Sequence, residues 1–218
     1  MLRRIDTADK WCLALSGFLS TQNGCPMDRI APYPRFWPTV KMHRQALARD
    51  WGIADRKTLY DILEWLEAEG HNAEYMAKIR YAAPLSDSQF QALLDLVNSP
   101  KQRNQWLLVR QHAVALRGVG IAAWDIGRYV WLCRDAYALG WIKKKETLQL
   151  IRSAGQRAQR SFDGWEHFGL SYVVGRSYWS AEAISRTACD RHFRHLLKLI
   201  ATPGSPWARL AWRTPLNH

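Results

Sequence analysis

Apolar residues recur at helical spacing along nearly the whole chain. Trp11, Leu15, Phe18 and Leu19 share one face of a first helix that stops at Asn23–Gly24. The following CPMDRIAPYPRFWP holds Pro26, Pro32, Pro34 and Pro38. Each proline removes a backbone donor and fixes φ, so 24–38 is predicted to be an extended connector. A short helix then runs through Met42, Ala46 and Leu47 to Trp51–Gly52. Asp55 is placed to cap KTLYDILEWLEAEG, whose Leu59, Ile62, Leu63 and Leu66 form a stripe ending at Gly70. A further short helix is predicted over 73–80. Ser86 caps the next one, which carries Phe90, Leu93, Leu94 and Val97 and ends before Pro100. Longer helices follow over 106–117, 121–139, 144–160, 165–179 and 186–200, separated by Gly118–Gly120 and Gly140. The tail over 203–218, with Trp207 and Trp212, is predicted to be irregular. No alternating strand pattern and no internal repeat is present. The pattern predicts an all-α fold, a single compact domain over 1–218 with about nine or ten helices.

One helix breaks the simple pattern. In WDIGRYVWLCRDAYALGW, Ala122, Ile126, Tyr129, Val130, Cys133, Ala136 and Tyr137 form a broad apolar face. Trp124, Arg128, Trp131 and Asp135 fall on the opposite side, so the tryptophans travel with the charges. Arg128 lies between two indole rings, where a guanidinium stacks by cation–π contact. Two readings follow. In the first, the helix is central and its charges are paired inside, because an isolated buried charge costs several kcal/mol. In the second, a Trp-lined cleft presents Arg128, with Asp125 or Asp135, to a ligand.

Composition alters the picture in one respect. The chain carries a net charge of +12, and the charge is one-sided. Residues 1–100 hold 12 Lys+Arg against 12 Asp+Glu, whereas 101–218 hold 19 against 7. Such asymmetry favours an acidic partner, a nucleic acid or an acidic protein. On the helix over 144–160, Lys144, Lys145, Arg152, Arg157 and Arg160 form the candidate binding face, with Gln149 and Gln156 among them. An ordinary solvated face is the plainer reading of the same residues.

The four cysteines, Cys12, Cys25, Cys133 and Cys189, form no CxxC pair and do not read as a disulfide framework. MLRR ahead of WCLALSGFLS resembles a short export signal, but Asp6, Asp9 and Lys10 interrupt it, and an amphipathic helix fits better. No run reaches the roughly 18 apolar residues of a membrane span. The expectation is a cytoplasmic protein.

In WEHFGLSYVVGRSYW, Trp165, Phe168, Tyr172, Gly175 and Trp179 make an aromatic stripe in which Gly175 admits a close neighbour. Arg176 follows, placed to meet Asp125 or Asp135 from an adjacent helix. Cys189, His192 and His195 lie at i, i+3 and i+6, a rotation that keeps three ligands from converging, so no metal site is expected. HEXXH, phosphate-loop, GxGxxG and GxSxG motifs are absent, and no cofactor is implied.

WGI at Trp51, LEWLEAEGH ending at His71, WDIGR at Trp124–Arg128, RDAYALGW at Arg134–Trp141 and the WEHFGLSYVVGRSYW segment together resemble the bacterial domain of unknown function 1266 family. The likeness spans about Trp11 to Trp179. It implies a helical fold and lends Trp124, Asp125, Arg128, Arg134, Gly140, Trp165, Gly175, Arg176 and Trp179 as signature positions. It supplies no activity.

The leading functional expectation is a non-catalytic binding module whose basic half engages an acidic partner. The alternatives are an enzyme, such as an interbacterial effector, working in the Trp-lined cleft of Trp124, Asp125, Arg128, Arg134, Asp135, Trp165, Arg176 and Trp179, or a Trp-rich protein-docking or regulatory protein.

Overall fold

The computed structural model describes residues 5–180 and 186–216, with the side chains of Trp37 and of residues 186–190 outside that description. Every regular element described is a helix, so the fold is all-α. The helices are α1 (Thr7–Ala14), α2 (Gly17–Gln22), α3 (Trp37–Trp51), α4 (Arg56–Ala68), α5 (Asn72–Ala82), α6 (Asp87–Leu96), α7 (Pro100–His112), α8 (Ala122–Ala138), α9 (Lys144–Ser161), α10 (Trp165–Ser180), α11 (Arg186–Ala201) and α12 (Pro206–Arg209).

The helix starts follow from local chemistry. Asp55 accepts the backbone N–H of Thr58 to open α4, and Ser86 accepts that of Gln89 to open α6. Three prolines begin helices rather than ending them. Pro38, Pro100 and Pro206 each stand in the first turn of α3, α7 and α12, where the missing N–H has no helical acceptor to lose. The connector therefore ends at Phe36, two residues earlier than its prolines suggest. Likewise α7 starts at Pro100 under a Ser99 cap and stops at His112, not over 106–117. The first amphipathic run is two helices: the chain turns at Leu15–Ser16, with Ser16 donating to the Leu13 carbonyl.

The large core gathers around α8, which is packed by α2, α4, α9 and α10. Both faces of α8 are buried, the charged one included: Trp124, Asp125, Arg128, Arg134 and Asp135 all lie inside. The α8–α10 contact is close at Gly175, where a Cβ would overlap the Trp124 side chain. A smaller cluster of Tyr75, Ile79, Phe90, Leu94, Leu108 and Val109 joins α5, α6 and α7 and reaches α10 through Val174 and Tyr178.

The tail is irregular apart from the single turn of α12, and it packs into the core. Trp207 and Trp212 are buried, and they complete a cluster with Trp11 and Trp165. Ring centroids stand 5.1 Å apart for Trp11–Trp165, 5.0 Å for Trp165–Trp207 and 4.9 Å for Trp165–Trp212. Each indole N–H finds a backbone carbonyl: Trp207 donates to Ala14 at 2.7 Å, Trp212 to Phe162 at 2.8 Å and Trp165 to Leu210 at 2.8 Å. Buried indoles satisfied in this way tie 205–216 to α1 and α10.

Candidate functional site

The residues read as one cleft occupy three places. Trp165 belongs to the tryptophan cluster just described and has no part in a cleft. Arg134 and Asp135 sit on the stretch of α8 that faces the connector. Trp124, Asp125, Arg128, Arg176 and Trp179 gather at the other end of α8.

Arg134 is a structural tie. It is fully buried, and its guanidinium donates to Ser16 Oγ at 2.8 Å, Ser20 Oγ at 2.5 Å and the carbonyls of Pro26 (2.5 Å), Arg29 (3.0 Å) and Ile30 (3.3 Å). Burial pulls its pKa down to about 10, against the opposing charge of Asp135. All five donors are used to hold the proline-rich connector against α2. Next to it, burial raises the Asp135 carboxyl to about 7, while Tyr33, Arg134 and Trp131 pull the other way. Asp135 Oδ1 makes no hydrogen bond, and His43 Nδ1 stands 3.9 Å away, stacked on Tyr33.

At the other end, Asp125 serves the α4–α5 turn. Its Oδ2 accepts the Asn72 N–H at 2.9 Å, capping α5 from outside, and its Oδ1 lies 3.1 Å from His71 Nδ1. Gly70, at φ +55°, makes this approach possible, since a Cβ there would collide with the carboxylate. Asn72 Oδ1 in turn accepts the Ile121 N–H at 2.7 Å. Arg128 is 8% exposed and stacks over Trp51 at 4.0 Å and Trp124 at 4.6 Å, with Trp179 at 5.8 Å. Its Nη1 is 3.2 Å from the same His71 Nδ1. Burial lowers its pKa to about 10; Asp125 and Tyr172 oppose the shift, and the like charge of Arg176 adds to it. Arg176 meets neither aspartate. Its Nε donates to His192 Nε2 at 3.0 Å. The segments WGI, GH, WDIGR and GRSYW, scattered from Trp51 to Trp179, thus meet in one cluster. His71 is its unannounced member; in the sequence it only ended a motif, because nothing local shows that Asp125 lies beside it.

The α9 face is less basic than its sequence. Arg152 donates to Asp9 Oδ1 and Asp6 Oδ2, each at 2.8 Å, and Arg157 pairs with Glu67. Lys145 and Arg160 are exposed, and Lys144 is partly buried. The basic lining the sequence reading passed over is on α11. Between α2 and α11 lies a cavity of about 380 Å³ lined by Thr21, Gln22, Arg191, Arg194, His195 and Lys198, with His192 at its inner side. Thr21 Oγ1 and His195 Nε2 are 2.6 Å apart, and burial with the Lys198 charge lowers the His195 pKa.

Burial raises the Cys12 thiol to about 12 and shifts Cys133 upward, and these thiols and Cys25 are free. Cys189 has its side chain outside the described residues. Among the described residues, no group of three His, Cys, Asp or Glu side chains is placed to hold a metal ion, and no helix is long and apolar enough to cross a membrane.

No curated protein and no solved structure matches the chain. A family model described as "Protein of unknown function (DUF1266)" matches residues 46–212, which include every member of the α8 cluster and the α11 cations. The chain belongs to the DUF1266 family.

Proposed function

We propose that this protein is a non-catalytic helical module that binds nucleic acid through the surface of α11 and the end of α2. The supporting observation is the 380 Å³ cavity whose described lining is cationic or neutral-polar and contains no carboxylate. Arg191, Arg194 and Lys198 stand at i, i+3 and i+7, which spreads them over about 10 Å of helix rise. A row of that length suits successive backbone phosphates, which accept guanidinium and ammonium groups without base readout. Thr21 and Gln22 add neutral partners for phosphate or sugar. An acidic protein is the weaker match, because protein interfaces centre on aromatic or aliphatic anchors and this lining has no large apolar side chain. The net charge of +12 adds long-range attraction to a polyanion. On α9, intramolecular pairing of Arg152 and Arg157 leaves Lys145 and Arg160 as a minor contribution.

The test is fluorescence anisotropy with labelled single-stranded RNA and duplex DNA pools, using the full chain at low and moderate salt. Binding should be salt-sensitive, lost in an Arg191→Gln/Arg194→Gln/Lys198→Gln variant, and nearly unchanged in Lys145→Gln/Arg160→Gln. Absence of binding at low salt, or equal binding by the α11 variant, overturns the proposal. Binding of polyglutamate with no binding of either nucleic acid replaces it with an acidic-protein partner.

A further inference from the structure

We infer that the aromatic cluster that holds Arg128, with Arg176 beside it, is a site for an oxyanion, a phosphate or carboxylate group on a small ligand. This inference does not depend on the reading of α11.

Arg128 is 8% exposed, and Arg176 is near enough to act on it as a like charge. The carboxylate nearby is already engaged at both oxygens, Oδ1 of Asp125 with His71 and Oδ2 with the Asn72 N–H. Among the described residues, the buried Arg128 guanidinium and the half-buried Arg176 therefore have one carboxylate beside them, and it is already committed. A buried charge left so is costly, and a second anion relieves it.

His71 has a single Nδ1, which cannot donate to Asp125 and accept from Arg128 at once. The carboxylate is the stronger acceptor, so the N–H goes to Asp125. The guanidinium then lies stacked on Trp51 and Trp124 with no protein acceptor among the described residues. Trp124 Nε1, on a side chain 3% exposed, has no partner, and neither does the Tyr172 hydroxyl. The Tyr172 ring packs 5.2 Å from Trp124, and its hydroxyl feels both Arg128 and Arg176. Unmet groups at this end of α8 are thus predominantly donors. Buried polar groups are rarely left unpaired, so such a set calls for a ligand rich in lone pairs. An oxyanion meets both demands. A cation would add a third positive charge, and an apolar ligand would leave the donors orphaned.

Trp179 is 47% exposed, 5.9 Å from Trp124 and 5.8 Å from Arg128, so it forms the solvent-side wall. A flat ligand body can stack on that exposed ring.

The probe is inorganic phosphate, added to the full chain at constant ionic strength with sodium chloride as the reference and acetate in parallel. At about 100 times Kd, a single-site ligand should raise Tm by about 5–10 °C for a chain of this size. Response to phosphate alone, or to acetate as well, identifies which oxyanion is preferred. Arg128→Gln should abolish the shift. Because that variant risks misfolding, Arg176→Gln, at a half-buried residue bonded to His192, provides the second test and should weaken the response at least tenfold in apparent Kd. The Arg191→Gln/Arg194→Gln/Lys198→Gln variant should keep the shift, which separates this site from the α11 surface. No stabilisation beyond chloride at about 50 mM of either anion, well above a millimolar Kd, overturns the inference. So does a shift that survives Arg176→Gln and disappears with the α11 cations.

Discussion

Replacing Arg134 with methionine tests whether this residue is a structural tie. The substitution keeps an unbranched stem of similar reach and removes the guanidinium. Five hydrogen bonds disappear, at donor–acceptor distances from 2.5 to 3.3 Å. Their consequences differ. Ser16 and Ser20 still donate to the carbonyls of Leu13 at 2.9 Å and Ser16 at 3.0 Å, so those hydroxyls are not orphaned. The carbonyls of Pro26, Arg29 and Ile30 lose their donor, and an unsatisfied buried acceptor costs about 1–3 kcal/mol. Two effects offset part of that sum: water can reach the carbonyls at exposed Arg29 and half-buried Pro26, and a guanidinium no longer has to be desolvated. The net loss should be about 3–5 kcal/mol, a large share of the 5–15 kcal/mol typical of a folded domain. Urea unfolding followed by far-UV circular dichroism should show the midpoint falling by about 1–2 M at unchanged slope. Arg134→Lys, which keeps a charge but not the planar fork, should lose roughly half as much. A loss below about 1 kcal/mol in Arg134→Met would refute the reasoning and return Arg134 to the list of ligand-facing residues.

Two other substitutions follow from the same physical accounting. Trp212→Ala removes a ring packed on Trp11, Trp165 and Phe168 and a hydrogen bond to Phe162, and should cost about 3–5 kcal/mol, read by the same urea titration; a near-neutral result would mean the tail is not part of the core. Asp135→Asn should change the pH dependence of stability. Burial holds the folded carboxyl at about 7, above its unfolded value of about 3.9, so the contribution is fully present below pH ~4 and is lost as pH rises through 7. Melting curves from pH 5 to 8 should show the wild type losing ground to the asparagine variant as pH rises, and an opposite trend would contradict a raised Asp135.

Much of the fold is legible in the sequence because helix signals are local. Asp55 and Ser86 announce their helices, and the stripe of Leu59, Leu63 and Leu66 lies buried as its spacing implies. Two helix starts differ from the simple pattern for one reason. Proline breaks a helix in its interior but opens one in its first turn, and Ser99–Pro100 and Ser205–Pro206 are cap-and-first-turn pairs. The turn at Leu15–Ser16 is different. Trp11, Leu15, Phe18 and Leu19 suit one continuous helix, and the division goes with the tertiary tie of Ser16 and Ser20 to Arg134, more than 110 residues away along the chain. Charge pairing is equally non-local. Nothing near Arg152 shows that Asp6 and Asp9 will meet it, and nothing near Asp125 shows the His71 and Asn72 it serves. A helical wheel places Trp124 and Arg128 on one side of α8 correctly but cannot tell whether that side meets water, Trp51 or α10.

The salt dependence of binding measures most directly whether the α11 cations contact a phosphate backbone. The logarithm of affinity for a fixed nucleic acid is plotted against the logarithm of salt concentration for the wild type and for Arg191→Gln/Arg194→Gln/Lys198→Gln. Each phosphate contact contributes about 0.7–0.9 to the slope, so removing three should flatten it by about 2–3. Parallel lines for the two proteins, or an affinity insensitive to salt, would contradict the account.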